Sequence, residues 1–300
     1  MRLKTFLLSA IVTALCVAPA EARGDRHLQP TSKWVVEYAD DTCRLAREFG
    51  EGSERVTLFF EQFVPGDAFN LTFVGRSMGG AGPSKASVRF GPNETVDPDN
   101  PVSLATVGST PAILLGGFQR LASSTEAERL AALEALKNDL PYEPAPIGAE
   151  RERAATWLEL GKVLPFDVVL HTGPMDKPLG ALRQCSWDTI KSWGLSIEEQ
   201  KTLTRHARPT TPSSSWFSDN DYPSEMVRGG YEGNVNFRVI VDATGTPVSC
   251  HVQSSTRPQA FDEVICRQVM KRGKFHPALD ASGKPIKSYW RQTALFRLGG

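Results

Sequence analysis

The sequence has no excess charge of either sign: 34 Lys and Arg residues are matched by 34 Asp and Glu over 300 residues. That balance gives no electrostatic reason to expect nucleic acid as a partner, because such proteins usually leave a basic footprint. Cysteine is scarce, and no Cys-x-x-Cys or close Cys/His cluster occurs. His251 beside Cys250 is one pair where a structural zinc needs four ligands, so no metal is expected. There is no phosphate-cradling glycine loop, no dinucleotide fingerprint and no internal repeat. No other cofactor is implied. The histidines at 27, 171, 206, 251 and 276 show no ligand or acid–base spacing along the chain. The apolar run at the start, "TFLLSAIVTALCVA", is too short for a confident membrane span.

That run has another meaning. It follows the basic "MRLK" and is followed by Ala18-Pro19-Ala20 and Ala20-Glu21-Ala22, two small-x-small cleavage patterns. Residues 1–22 therefore read as a secretory signal peptide, so the mature chain is expected to be exported. An uncleaved segment anchored in the inner membrane is the alternative. Leu15 before Cys16 is too large for a lipoprotein site. Once the signal is removed, Cys43, Cys185, Cys250 and Cys266 remain. An even count in an oxidising compartment favours disulfides, with three possible connectivities. Two of the four fall in each of the two domains proposed next, so Cys43–Cys185 with Cys250–Cys266 is the simplest pairing.

The expected fold class is α+β. Residues 25–205 form a β-rich N-terminal domain of unknown role covered by later helices. Its strands are read at "KWVVEY", "TCRLARE", "RVTLFFEQF", "AFNLTFVG" and "KASVRFG". "GPNETVDPDNP" (91–101) reads as a rigid acidic loop. In "SSTEAERLAALEALKNDL", Ser124 or Thr125 caps a helix that carries Leu130, Leu133, Leu136 and Leu140 on one stripe. "ERERAATWLEL" reads as a second helix, "FDVVLHTG" as a strand, and "PLGALRQCSWDTIKSWGL" and "SIEEQKTL" as further helices. Residues 206–221, with their prolines and three consecutive serines, read as a linker.

One short motif suggests catalysis. Gly75-x-Ser77-x-Gly79 follows a strand, as a nucleophile elbow does, and "FVGRSMGG" resembles the lipase-type "GHSMGG". The helix that should follow is missing. Asp167 and His171, the only pair in the required order singled out here, lie four apart on one strand and make a poor triad. A glycine-rich hairpin accounts for the motif better than a serine hydrolase does, and no enzymatic activity is expected.

Residues 222–300 carry the strongest pattern. "YPSEMVRGG" is a short helix. "NVNFRVIVDATGTPVSCHV" is a hairpin with Val235, Phe237, Val239 and Val241 on one face and a turn at Asp242–Gly245. "QAFDEVICRQVMKRGKF" is an amphipathic helix, "HPALDASGKPI" a loop and "SYWRQTALFRL" a last strand. The order is α-β-β-α-β, a small three-stranded antiparallel sheet with two helices.

These residues resemble the C-terminal domain of TonB-type energy transducers. The matching features are Tyr222-Pro223, Gly233-x-Val235, the Gly245 turn, Ser254-Ser255, Phe261-Asp262, Phe275, Pro277-Ala278, Gly283-x-Pro285 and the alternation ending at Phe296 and Leu298. A cysteine on the second strand and another on the helix also fit this resemblance. What it implies is a periplasmic protein of a Gram-negative bacterium that binds, by β-augmentation, an extended segment from a TonB-dependent outer-membrane receptor or another envelope protein. Asp219, Asn220, Asp221, Tyr222, Pro223, Tyr289, Arg291 and Thr293 would meet that segment, and a homodimer is also admitted. The 216–300 stretch has 11 Lys and Arg against 8 Asp and Glu, suiting an acidic partner. The chain departs from the transducer pattern in its cleavable signal and in its linker, which is far shorter than a periplasm-spanning arm. A membrane-anchored transducer remains the alternative.

Overall fold

The computed structural model describes residues 24–82, 85–121, 125–137, 144–255 and 259–298. The expected signal segment 1–22 lies outside them, as do Ser124 and Leu140. The chain is α+β, with a β-rich front and a small carboxy-terminal sheet.

Two sheets build the front. One has the order Arg26–Leu28, Val168–Leu170, Trp157–Gly161, Ala86–Gly91, Asp97–Asn100, and only its first pair runs parallel. The other runs Val35–Tyr38, Cys43–Phe49, Val56–Gln62, Ala68–Val74, Thr110–Leu115, Val102–Val107. Alternation places Val56, Leu58 and Phe60 inside and leaves Thr57, Phe59 and Glu61 half-buried on the other face. Phe60, Phe69 and Phe90 meet edge to face or tilted, joining the two sheets in one core with Leu179 and Leu182 of helix Asp176–Ser192. Cys43 and Cys185 form a buried disulfide between a strand and that helix. Ser196 caps helix Ile197–Lys201 by accepting the Glu199 N–H at 3.2 Å.

Several front segments differ from the sequence reading. Within 91–101, Asp97–Asn100 is a strand, because pairing with Ala86 and Val88 supplies the backbone partners that a free acidic loop would lack. "ERERAATWLEL" splits into helix Ala149–Ala154 and strand Trp157–Gly161. Alternating Leu158 and Leu160 are fully buried between two neighbouring strands, and burial overrides helix propensity. Thr125 does cap helix Glu126–Lys137, through a reciprocal box with Glu128. Leu130 and Leu133, however, are more than half exposed. The Ser77 motif is no hairpin: Arg76–Gly80 is a 3-10 turn that carries the chain from one front sheet to the other. Gly75 is required there because a Cβ would come within 2.5 Å of the Arg55 carbonyl oxygen.

In the last third, Gly233–Val241 is the central strand between Pro247–Ser255 and Ser288–Phe296, all antiparallel. Helices Ser224–Arg228 and Gln259–Arg272 accompany the sheet. Val235, Phe237, Val239 and Val241 are buried against Phe261, Ile265 and Val269 of the longer helix, and Cys250–Cys266 ties that helix to its sheet. Asp242 organises the hairpin turn, accepting the N–H groups of Thr244 and Thr246. Gly245 closes it at φ +86°, with the Phe275 carbonyl where a Cβ would stand. The 275–286 stretch is not all loop, since Ala278–Leu279 pairs with Pro285–Ile286 and Phe275–His276 with Arg208–Pro209.

The stretch 206–221 is folded onto this unit. Ala207 and Trp216 are buried in its core, and Trp216 packs against Phe275 and Trp290. Two front-region histidines, read as unpaired, also meet partners. His27 Nδ1 lies 3.2 Å from His171 Nε2 across a pair of parallel strands, which the linear spacing hides. His251 Nε2 lies 2.5 Å from the Asp41 carboxylate.

Candidate functional site

A three-stranded sheet has two margins, and the sequence makes them unequal. The 247–255 margin starts on Pro247 and carries two bulges, at Val248 and Gln253, which have no opposite residue. Proline and bulges blunt an edge against further pairing. The 288–296 strand pairs without a break from Gly233–Phe296 to Val241–Ser288. Among the described residues it pairs with the central strand alone. Its outward N–H and C=O groups form a long, regular template.

That strand is well anchored because alternate residues pack on both of its faces. Trp290 packs at 5.4–5.7 Å from the rings of Phe275, Trp216 and Phe237. Phe296 stacks on Phe261 at 4.2 Å and meets Tyr222 edge-on. The opposite face turns to the front region. Tyr289 lies edge-on to Trp193, Arg291 lies over Phe63 and Phe118, and Thr293 donates to Asn236. Of the residues expected to meet a partner, these three thus offer their backbone edge, with their side chains used inside the protein.

Beside residues 292–297 runs the 213–222 strap, and between them lies a cleft of about 370 Å³. Ser214, Phe217 and Asp219 stand on one wall, Gln292, Ala294 and Arg297 on the other. Ser218 and Asp221 form a reciprocal capping box. Arg272 Nη1 donates to the Trp216 carbonyl and to Asp221 Oδ2, both at 2.7 Å. Tyr222 Oη donates to the Tyr231 carbonyl at 2.6 Å. Asp219 and Asp221 share the short 3-10 turn with Asn220, and Pro223 caps the helix that follows. Sequence reasoning missed Phe217 and Gln292. Trp216-Phe217, an aromatic pair inside a Ser/Pro stretch, was the available signal that this stretch docks.

The strap is pH-sensitive by construction. Hydrogen bonding from Arg272, then from Ser218, holds the Asp221 carboxyl below the usual carboxylate range. Its contribution is complete above about pH 4 and fades as the pH falls through the depressed folded value. The Trp216 indole NMR signal should therefore move in acid in the native chain. Asp221→Asn should show the displaced position already at neutral pH. An acid step identical in both proteins would contradict this role for Asp221.

The front region covers a face of the sheet, leaving the cleft margin to the strap. Arg238 and His251 both reach Asp41, and Gln253 donates to the backbone carbonyls of Asp41 and Phe63. Gln200 joins Lys287 and Ser288. Elsewhere, the two residues weighed as partners for Ser77 are engaged with others: His171 meets His27, and Asp167 accepts the Lys162 N–H. Among the described residues, no group of three or more His, Cys, Asp or Glu could hold a metal ion, and no helix is long and apolar enough to cross a membrane.

Residues 218–298 match the family described as Gram-negative bacterial TonB protein C-terminal. Over 58 residues the chain is 41% identical to Protein tonB2 of Pseudomonas aeruginosa, a stretch covering 19% of this chain and 21% of that protein. The match thus spans about a fifth of the relative's length. With the hairpin, helix and closing strand in place, residues 218–298 belong to the TonB C-terminal domain family, as one segment of a chain whose front region has its own fold.

Proposed function

We propose that the 218–298 segment is a periplasmic protein-binding module that takes an extended segment of an envelope protein, in the first place an outer-membrane transporter, as a fourth strand. The observation that carries this reading is the unbroken Ser288–Phe296 strand, whose outer end at 292–297 lines the cleft against 213–222. Main-chain hydrogen bonds would supply the grip, and Phe217, Gln292 and Arg297 would read alternate side chains. The front region fixes the sheet from the other face, so the margin is presented without having to order itself first. Preorganisation of this kind lowers the entropic cost of binding.

The test uses overlapping synthetic peptides from the periplasm-facing segments of outer-membrane transporters, titrated into the isotope-labelled protein. Amides 292–297 and 214–219 are expected to shift together, with those of 247–255 unchanged. Shifts centred on 247–255, or none with any peptide, would remove the reading.

A further inference from the structure

A further feature lies between the front region and the carboxy-terminal sheet. A cleft of about 520 Å³ is walled by Phe63, Val64, Pro65, Phe118, Pro144 and Pro146, within the size range of small-molecule sites. Arg291 lines it. This guanidinium sits 4.6 Å from the centre of the Phe63 ring and 4.9 Å from that of Phe118, and its Nε donates to Gln253 at 3.0 Å. Its Nη2 is buried and has no hydrogen-bond partner.

A buried cation ordinarily meets a carboxylate, because desolvation is otherwise uncompensated. The two carboxylates lining this cleft are already engaged. Glu61 is bound by Arg44 at 2.7 Å, and Asp67 accepts the Ile147 N–H at 2.7 Å with Arg183 and Arg120 nearby. No described carboxylate pairs with Arg291, whose acceptors are one amide oxygen and two ring faces. Burial lowers its pKa to about 10, so it is still charged at neutral pH. Two guanidinium groups thus line the cleft: Arg120, which donates to the Ala145 carbonyl at 2.6 Å, and Arg291, whose buried Nη2 is left without an acceptor.

We propose that this cleft binds a small amphiphilic carboxylate, its apolar body against Phe63, Pro65, Pro144 and Pro146 and its carboxylate on the Nη2 edge of Arg291. Arginine suits such a ligand because its planar fork matches carboxylate geometry. The site uses the Arg291 side chain and not the backbone edge of Ser288–Phe296, so its failure would leave the strand-addition reading untouched.

The probe is 4-bromobenzoate, with 4-bromobenzamide as its uncharged counterpart, titrated calorimetrically into the full exported chain. The acid is expected to bind at least tenfold more tightly than the amide, and Arg291→Met to remove that preference. Arg291→Lys, which keeps the charge and loses the fork, is expected to retain part of it. Because Arg291→Met could unfold the interface, wild-type crystals soaked in the acid give an independent reading from the anomalous bromine signal, expected between Phe63 and Pro146. Equal affinity for acid and amide, a preference that survives in Arg291→Met, or bromine found only elsewhere would overturn the proposal.

Discussion

With Cys43 and Cys185 both replaced by alanine, the protein is expected to lose about 5 kcal/mol of stability, against about 3 kcal/mol for the same change at Cys250 and Cys266. The difference follows from the chain each bridge closes, a sequence separation of 142 in the first case and 16 in the second. A longer closed loop removes more conformations from the unfolded chain. The longer bridge is also fully buried, whereas both cysteines of the shorter one are partly accessible. Mild reductant should therefore open Cys250–Cys266 first and leave the front core intact. Denaturant titration of the two double variants, with thiol labelling during reduction, checks both statements. Equal losses, or a loss below about 1 kcal/mol for Cys43 and Cys185, would show that the front core does not depend on its covalent tie.

The carboxy-terminal unit was largely legible because its alternation is enforced from two sides. Val235, Phe237, Val239 and Val241 face a helix, and Asn234, Asn236 and Arg238 face away from it, so the period of two survives in the sequence. The Asp242–Gly245 turn was legible from chemistry alone, since its carboxylate and positive φ are local requirements. The 97–115 strands were not legible. Asp97, Pro98, Asp99 and Asn100 are poor strand formers, and Val102–Val107 leaves most of its side chains exposed, so pairing is set by distant backbone. Trp157 was absorbed into a helical reading, and its fit over Gly91, where any Cβ would strike the indole ring, comes from the fold. The candidate margin was visible as a strand. That its side chains at 289, 291 and 293 are spent on Trp193, Phe63 and Asn236 depends on contacts far along the chain.

Arg183→Met should destabilise the front region by about 3–5 kcal/mol, the cost of leaving a buried charge without its partner. Glu152 is only 1% exposed and receives two hydrogen bonds from Arg183, at 2.6 and 2.8 Å. The bond to Glu152 is also the main reason the Arg183 pKa lies above its ordinary value. Without the guanidinium, the carboxylate has lost its strongest donor in a place water cannot reach. Glu152→Leu combined with Arg183→Met should restore most of the stability, since a well-packed apolar pair often replaces a buried ion pair at little cost. The double-mutant cycle separates the coupling from simple loss of packing. Arg183 also stands 3.5 Å from Asp67, whose other oxygen holds the Ile147 N–H at the rim of the Arg291 cleft. The single variant is therefore expected to disturb that rim as well as the core, detectable as an altered Ile147 amide signal. If Arg183→Met costs under about 1 kcal/mol, Glu152 must find another partner, and the network joining helices 149–154 and 176–192 to the 62–68 turn is not what holds the front region's shape.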